Sequence, residues 1–248
     1  KKYIHMDLEQ KILAYCDEYN IPVHYLFEIL EDQKVVPMIR GKATEYNAYI
    51  YLQEHLDKFT WDVQKLNLNA QNNTIDEDVS ITHRKTGIRL KVECKNAVRG
   101  SFSIGKRTKV LKVPHFKVKC HRSRSNMKLS QTTNDRYLIG DFDLLVCNTS
   151  KALYEGNTIE SLELINNKEL ITVLYEYYNV NNNKDLIKAC NKDWRFVIPS
   201  DIAENDNSIP RTPYVALKND IHWTSINNLN DRLLRIVTTK RNESKKKK

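Results

Sequence analysis

Residues 88–95 read Ile-Arg-Leu-Lys-Val-Glu-Cys-Lys, an apolar–polar alternation that predicts a half-buried strand. Ile88, Leu90 and Val92 fall on one face, and Arg89, Lys91 and Glu93 on the other. The same period puts Glu93 and Lys95 side by side on the polar face. Residues 78–81, Asp-Val-Ser-Ile, alternate likewise, with Asp78 and Ser80 polar, and Lys85-Thr86-Gly87 between the two runs predicts a hairpin turn. A hairpin that sets Asp78 opposite Glu93 or Lys95 gathers all three groups on one face. A slip of one residue separates them.

Helical periodicity appears before this hairpin. Leu8, Ile12, Leu13 and Tyr15 predict a helix over 7–18 with Asp7 as N-cap, and a short helix follows over 23–30. Gly41 precedes a stronger helix over 42–58, whose Tyr49, Leu52 and Leu56 form a core stripe with Glu45 at its N-terminal end. Strands are predicted at 61–68, 110–113, 115–120, 141–147, 193–199 and 214–217. Helices are predicted at 161–165 or 168–178, and at 230–237. Residues 122–136 read as a polar loop, and the Asn-rich stretches at 166–167, 181–183 and 227–228 read as turns. This order suits an α/β (α+β) fold with a central mixed β-sheet flanked by helices. It is read as one domain over 1–240, with a helical part at 1–58, a core at 59–150 and a C-terminal elaboration at 151–240. Residues 241–248 read as a basic, disordered tail.

Composition changes this picture mainly through charge. The 248 residues are 40% hydrophobic and 29% charged, which suits a globular protein with a sizeable core. No stretch approaches the roughly 18–20 apolar residues of a membrane helix, and the opening residues show no apolar signal segment. Five scattered cysteines without a Cys-x-x-Cys pair argue against a disulfide framework or a structural zinc site, and suit a reducing cytoplasm. The net charge is +9. Its telling part lies in residues 95–128, where eleven basic residues and no Asp or Glu occur. Such a block repels itself unless a polyanion lies nearby.

The chemistry follows from the paired acids. Two close carboxylates in a partly buried site need a counter-charge. Mg²⁺ supplies it and accepts one or two carboxylates with waters and phosphate oxygens. Asp78 and Glu93 are the candidate ligands, with the main-chain carbonyl of Cys94 as a third. Lys95 is the cation that orients or deprotonates a water, or stabilises charge on a phosphate. These residues, Asp78 with Glu93-Cys94-Lys95, resemble the motif of the PD-(D/E)xK nuclease superfamily, which includes most type II restriction endonucleases. Asp78 matches the first acid, although Glu77 stands where the motif's Pro would be; among Asp76, Glu77 and Asp78, Asp78 is favoured because it directly opens the apolar alternation. The resemblance spans roughly residues 41–147. It implies a restriction-endonuclease-like core, Mg²⁺ held by Asp78 and Glu93, catalytic Lys95, and a supporting helical carboxylate at Glu45. It further implies a prokaryotic cytoplasmic enzyme cutting double-stranded DNA, with a homodimer matching a palindromic site.

For DNA contacts the basic block offers Arg99, Lys106, Arg107, Lys109, Lys119, Arg122 and Arg124, and Arg136 lies beyond it. No His or Cys/His pattern supports a zinc or HNH-type site, and no Gly-rich phosphate loop is present. Glu-x-Lys alone is common by chance, and as an exposed ion pair it is worth only about 0–1 kcal/mol. Two rival readings are a junction-resolving or repair nuclease with the same site, and a basic nucleic-acid-binding protein without catalysis.

Overall fold

The strictest alternation in the chain, at residues 88–95, becomes the middle strand of a five-stranded sheet. A computed structural model describes residues 6–65, 77–104, 113–122, 135–156 and 163–246. These form two compact units, Lys1–Ala43 and Thr44–Lys248.

The first unit is helical. In α1 (Leu8–Glu18) the Asp7 carboxylate accepts the Gln10 N–H at 2.8 Å, and the Gln10 side chain accepts the Asp7 N–H at 3.3 Å, a reciprocal capping box. A 3₁₀ turn, Val23–Tyr25, leads into α2 (Leu26–Glu31). The next helix, α3 (Val36–His55), whose residues from Thr44 onward belong to the second unit, starts six residues before the predicted position and contains Gly41. Pro37 sits in its first turn, where the missing N–H costs no hydrogen bond. An internal Gly weakens a helix by only about 1 kcal/mol.

In the second unit the chain forms β1 (Trp61–Gln64), β2 (Val79–His83), β3 (Ile88–Asn96), β4 (His115–Lys117) and β5 (Leu144–Asn148). It continues through β6 (Tyr154–Glu155), β7 (Glu163–Leu164), α4 (Lys168–Tyr178), α5 (Asn183–Lys192), β8 (Trp194–Val197), β9 (Tyr214–Ala216) and α6 (Leu229–Lys246). The main sheet runs β1-β2-β3-β5-β8, and two-stranded ribbons pair β4 with β9 and β6 with β7. Only β3 and β5 pair in parallel, so the sheet is mixed. Among the described residues there are six α-helices, and none is long and apolar enough to cross a membrane.

Each sheet face buries its own core. Val79, Ile81, Leu90, Val92, Leu144, Val146 and Phe196 pack with Ala48 and Leu52 of α3 and with Leu229, Leu233 and Val237 of α6. On the other face, Leu145, Cys147 and Val197 pack with Leu170 and Leu174 of α4 and Leu186 and Cys190 of α5. With helices over both faces, β5 is buried along its whole length and reads as the continuous apolar run of a covered strand.

Two elements depart from the sequence pattern. α5 follows the expected turn at 181–183 in a stretch assigned no element; the Asn182 side chain caps it by accepting the Asp185 N–H at 2.9 Å, and Leu186 and Cys190 anchor it. Of the two helix placements expected, the structure takes 168–178, behind the Asn167 cap, and residues 163–164 form a strand. α6 carries the basic terminus in helical form to Lys246, so residues 241–246 are not a disordered tail. The strand expected at 110–113 lies almost wholly outside the described residues.

The β2–β3 turn closes at Gly87, whose φ of +67° suits glycine. A Cβ there meets nothing within 4 Å, so the cost of a side chain is conformational. Gly87→Ala is expected to destabilise the protein by about 1–2 kcal/mol in chemical denaturation, with an unchanged m-value.

Candidate functional site

The start of β2 meets the C-terminal end of β3. Val79 pairs with Val92 in an antiparallel register, and one further step sets Asp78 opposite Glu93. Beyond Val79 the backbone ladder ends, and Asp78 Oδ2 accepts the Cys94 N–H at 2.8 Å. Glu77 is engaged elsewhere: its carboxylate pairs with Arg89 at 2.5 Å. Asp76 lies outside the described residues.

On the polar face of β3, Glu93 Oε1 receives two donors. Lys95 Nζ is one, in an ion pair whose side chains are largely buried, and the Tyr137 hydroxyl at 2.8 Å is the other. Lys95 Nζ lies 5.0 Å from the centre of the Tyr137 ring. Glu45 comes from α3, is buried, and pairs with Lys65 at 2.7 Å. Thr44 Oγ1 donates to Asn96 Oδ1 at 2.7 Å, tying α3 to the end of β3. Asp78, Glu93, Lys95 and Glu45 thus form one electrostatic cluster built from a hairpin and a helix.

The cluster carries more negative charge than burial tolerates. Burial, then the Glu93 and Glu45 carboxylates, push the Asp78 carboxyl well above its ordinary range, against the opposing pull of Lys95 and the Cys94 N–H. For Lys95, burial disfavours the charge, but Glu93, Tyr137 and Asp78 outweigh it and hold the ammonium protonated. Burial and the neighbouring Glu93 raise the Tyr137 phenol, which remains a donor. Burial, then the Asp78, Glu93 and Glu45 carboxylates, likewise keep the Cys94 thiol neutral.

Among the described residues, Asp78 Oδ1 and Glu93 Oε2 accept no hydrogen bond. Among the same residues no group of three or more His, Cys, Asp or Glu side chains is close enough together to hold a metal unaided. The donors available are therefore two carboxylates and main-chain oxygens, a set that suits a hard cation retaining its waters and not a soft one.

The basic candidates divide. Lys119 is exposed, and its N–H joins the Asn96 carbonyl at 3.0 Å, which sets it beside the end of β3. Arg99 donates to the Gly156 carbonyl at 2.6 Å. Arg136 pairs with Glu204 and donates to Ser208 Oγ at 2.8 Å. Arg122 is buried, paired with Asp141, donates Nε to the Arg136 carbonyl at 3.0 Å, and lies 5.4 Å from the Tyr137 ring centre. It is a structural brace under the site, not a surface cation. Lys106, Arg107, Lys109 and Arg124 lie outside the described residues. Lys65, Tyr137 and Asp141 contribute to the site without being read as site residues from the sequence: Lys65 and Asp141 fall only within predicted strands, and none of the three lies in the Glu-x-Lys motif or the basic block. No protein-family model, curated protein or solved structure matches the chain.

Proposed function

We propose that this chain is a Mg²⁺-dependent endonuclease hydrolysing phosphodiester bonds of double-stranded DNA, of the PD-(D/E)xK kind and most like a type II restriction enzyme. One observation carries the reading: Asp78 stands opposite Glu93 with Lys95 on the same strand face, and among the described residues each acid has one carboxylate oxygen that accepts no hydrogen bond. The five-stranded mixed sheet between helices supports a restriction-endonuclease-like core.

Asp78 Oδ1 and Glu93 Oε2 are the natural holders of Mg²⁺, with the Cys94 carbonyl as a main-chain donor. When bound, that ion supplies Lewis-acid polarisation of the phosphate and a more acidic water. Lys95, held as an ammonium by its neighbours, acts as a fixed cation beside the scissile phosphate. It offers no lone pair, so water activation falls to another group. Glu45, already paired with Lys65, supports the cluster from the helix side. Lys119, exposed beside the end of β3, is the cation offered to a backbone phosphate. A homodimer suits a two-fold recognition site.

The test is incubation of plasmid DNA with the protein, with and without Mg²⁺. Discrete fragments that need the ion are expected. DNA binding without any Mg²⁺-dependent cleavage overturns the enzyme reading, whereas a preference for branched DNA reassigns the same site to a junction-resolving nuclease.

A further inference from the structure

Tyr137 is 5% exposed, and everything around it is held in place. Its carbonyl accepts the Ile209 N–H at 2.7 Å, and the Ile139 N–H reaches Asn207 at 3.1 Å, so the segment is pinned as a short ladder. The Leu138 N–H donates to Asp141 at 2.6 Å, the same carboxylate that pairs with Arg122. The Tyr137 ring packs edge-on against Phe142 at 5.2 Å. The Lys95 ammonium and the Arg122 guanidinium both lie over that ring, at 5.0 and 5.4 Å, as cations over an aromatic quadrupole.

Burial alone does not require the hydroxyl. A phenyl ring fills the same volume, and a buried O–H must find an acceptor or lose its hydration without return. Here the acceptor is Glu93 Oε1, which also takes the Lys95 ammonium. With two donors on one oxygen, the carboxylate cannot turn about its last torsion without breaking both bonds. Among the described residues the other oxygen, Oε2, has no donor. Arg122 and Asp141 in turn hold the ring, so the chain of contacts runs from a buried ion pair to a carboxylate.

We propose that Tyr137 is a positioning residue, locking the Glu93 carboxylate so that Oε1 faces Lys95 and Oε2 stays available to a divalent cation. The inference rests on the reading of Glu93 as a metal ligand. Partners of ligating groups typically contribute 10–100-fold to metal affinity.

Direct Mn²⁺ binding, followed by electron paramagnetic resonance on the full chain, tests it without reference to cleavage. Tyr137→Phe keeps the ring, the Phe142 contact and both cation contacts, and removes only the donor. It is expected to bind Mn²⁺ about 10-fold more weakly than wild type, with the thermal melt unchanged. Tyr137→Leu, which also removes the ring, should weaken binding at least as far. In cleavage assays the half-saturating Mg²⁺ concentration should rise by the same factor, with kcat at saturating metal much less affected. Mn²⁺ affinity of Tyr137→Phe within about twofold of wild type overturns the positioning role alone. A wild-type chain that binds no Mn²⁺ overturns the metal site and this inference together.

Discussion

Lys95→Met is expected to cut plasmid DNA about 100–1,000-fold more slowly than wild type at saturating Mg²⁺, the usual loss when one fixed stabiliser of developing charge is removed. Met keeps the length of the side chain and its packing over Tyr137, so the loss reports the ammonium. DNA binding measured without divalent cation should change far less, because one phosphate contact among many is lost. Glu93→Gln should cost a comparable factor, and the double variant little more than either alone. Glu93 and Lys95 share one ion pair, and groups that act as a unit are non-additive. Initial rates of supercoiled plasmid nicking check all three. Cleavage by Lys95→Met within about tenfold of wild type would sink the assigned role of the lysine.

Asp78→Asn should abolish cleavage as well, yet make the metal-free protein more stable at neutral pH. Buried beside Glu93 and Glu45, Asp78 has a folded-state pKa raised above its ordinary value of 3.8. Its contribution to stability is therefore complete below about that value and is lost as pH rises through the folded pKa. In EDTA, wild type should lose stability over the window above pH 3.8, while Asp78→Asn should lose less. At neutral pH the variant should therefore show the higher Tm of the two. At pH 3 the difference should vanish. Mg²⁺ should raise the wild-type Tm and leave that of the variant unchanged, since a ligand stabilises only the state that binds it. A variant less stable than wild type in EDTA at pH 7 would show that Asp78 is held by a favourable network and not by crowded charge.

The tension between these two effects, chemistry lost and stability gained at one residue, follows from packing and is visible in no local segment. Glu93 and Tyr137 lie 44 positions apart, and Arg122 and Asp141 19 apart. Periodicity reports which face a residue occupies, and nothing about which distant side chain shares that face. Counting charges over residues 95–128 therefore grouped Arg122 with surface cations, although Asp141 buries it. Tyr137 and Lys65 were not marked as site residues, because a lone tyrosine or lysine looks the same whether or not it touches a carboxylate.

Local chemistry did determine a good deal. Alternation drew β3 and β2, Gly87 closed the turn between them, the Asp7 capping box started α1, and the stripe of Leu52 and Leu56 faced the core. These features depend on backbone geometry repeating every two or 3.6 residues, so a short window contains them. The candidate acid and lysine of Glu93-Cys94-Lys95 could be read for the same reason. The alternation that Asp78 opens also favours it as the upstream acid, but its facing position depends on register. Only the antiparallel register of Val79 with Val92 sets Asp78 opposite Glu93, while Arg89 takes Glu77. That register is decided by burial of Val79, Ile81, Leu90 and Val92 against α3 and α6, a sum over the whole core that no segment holds by itself.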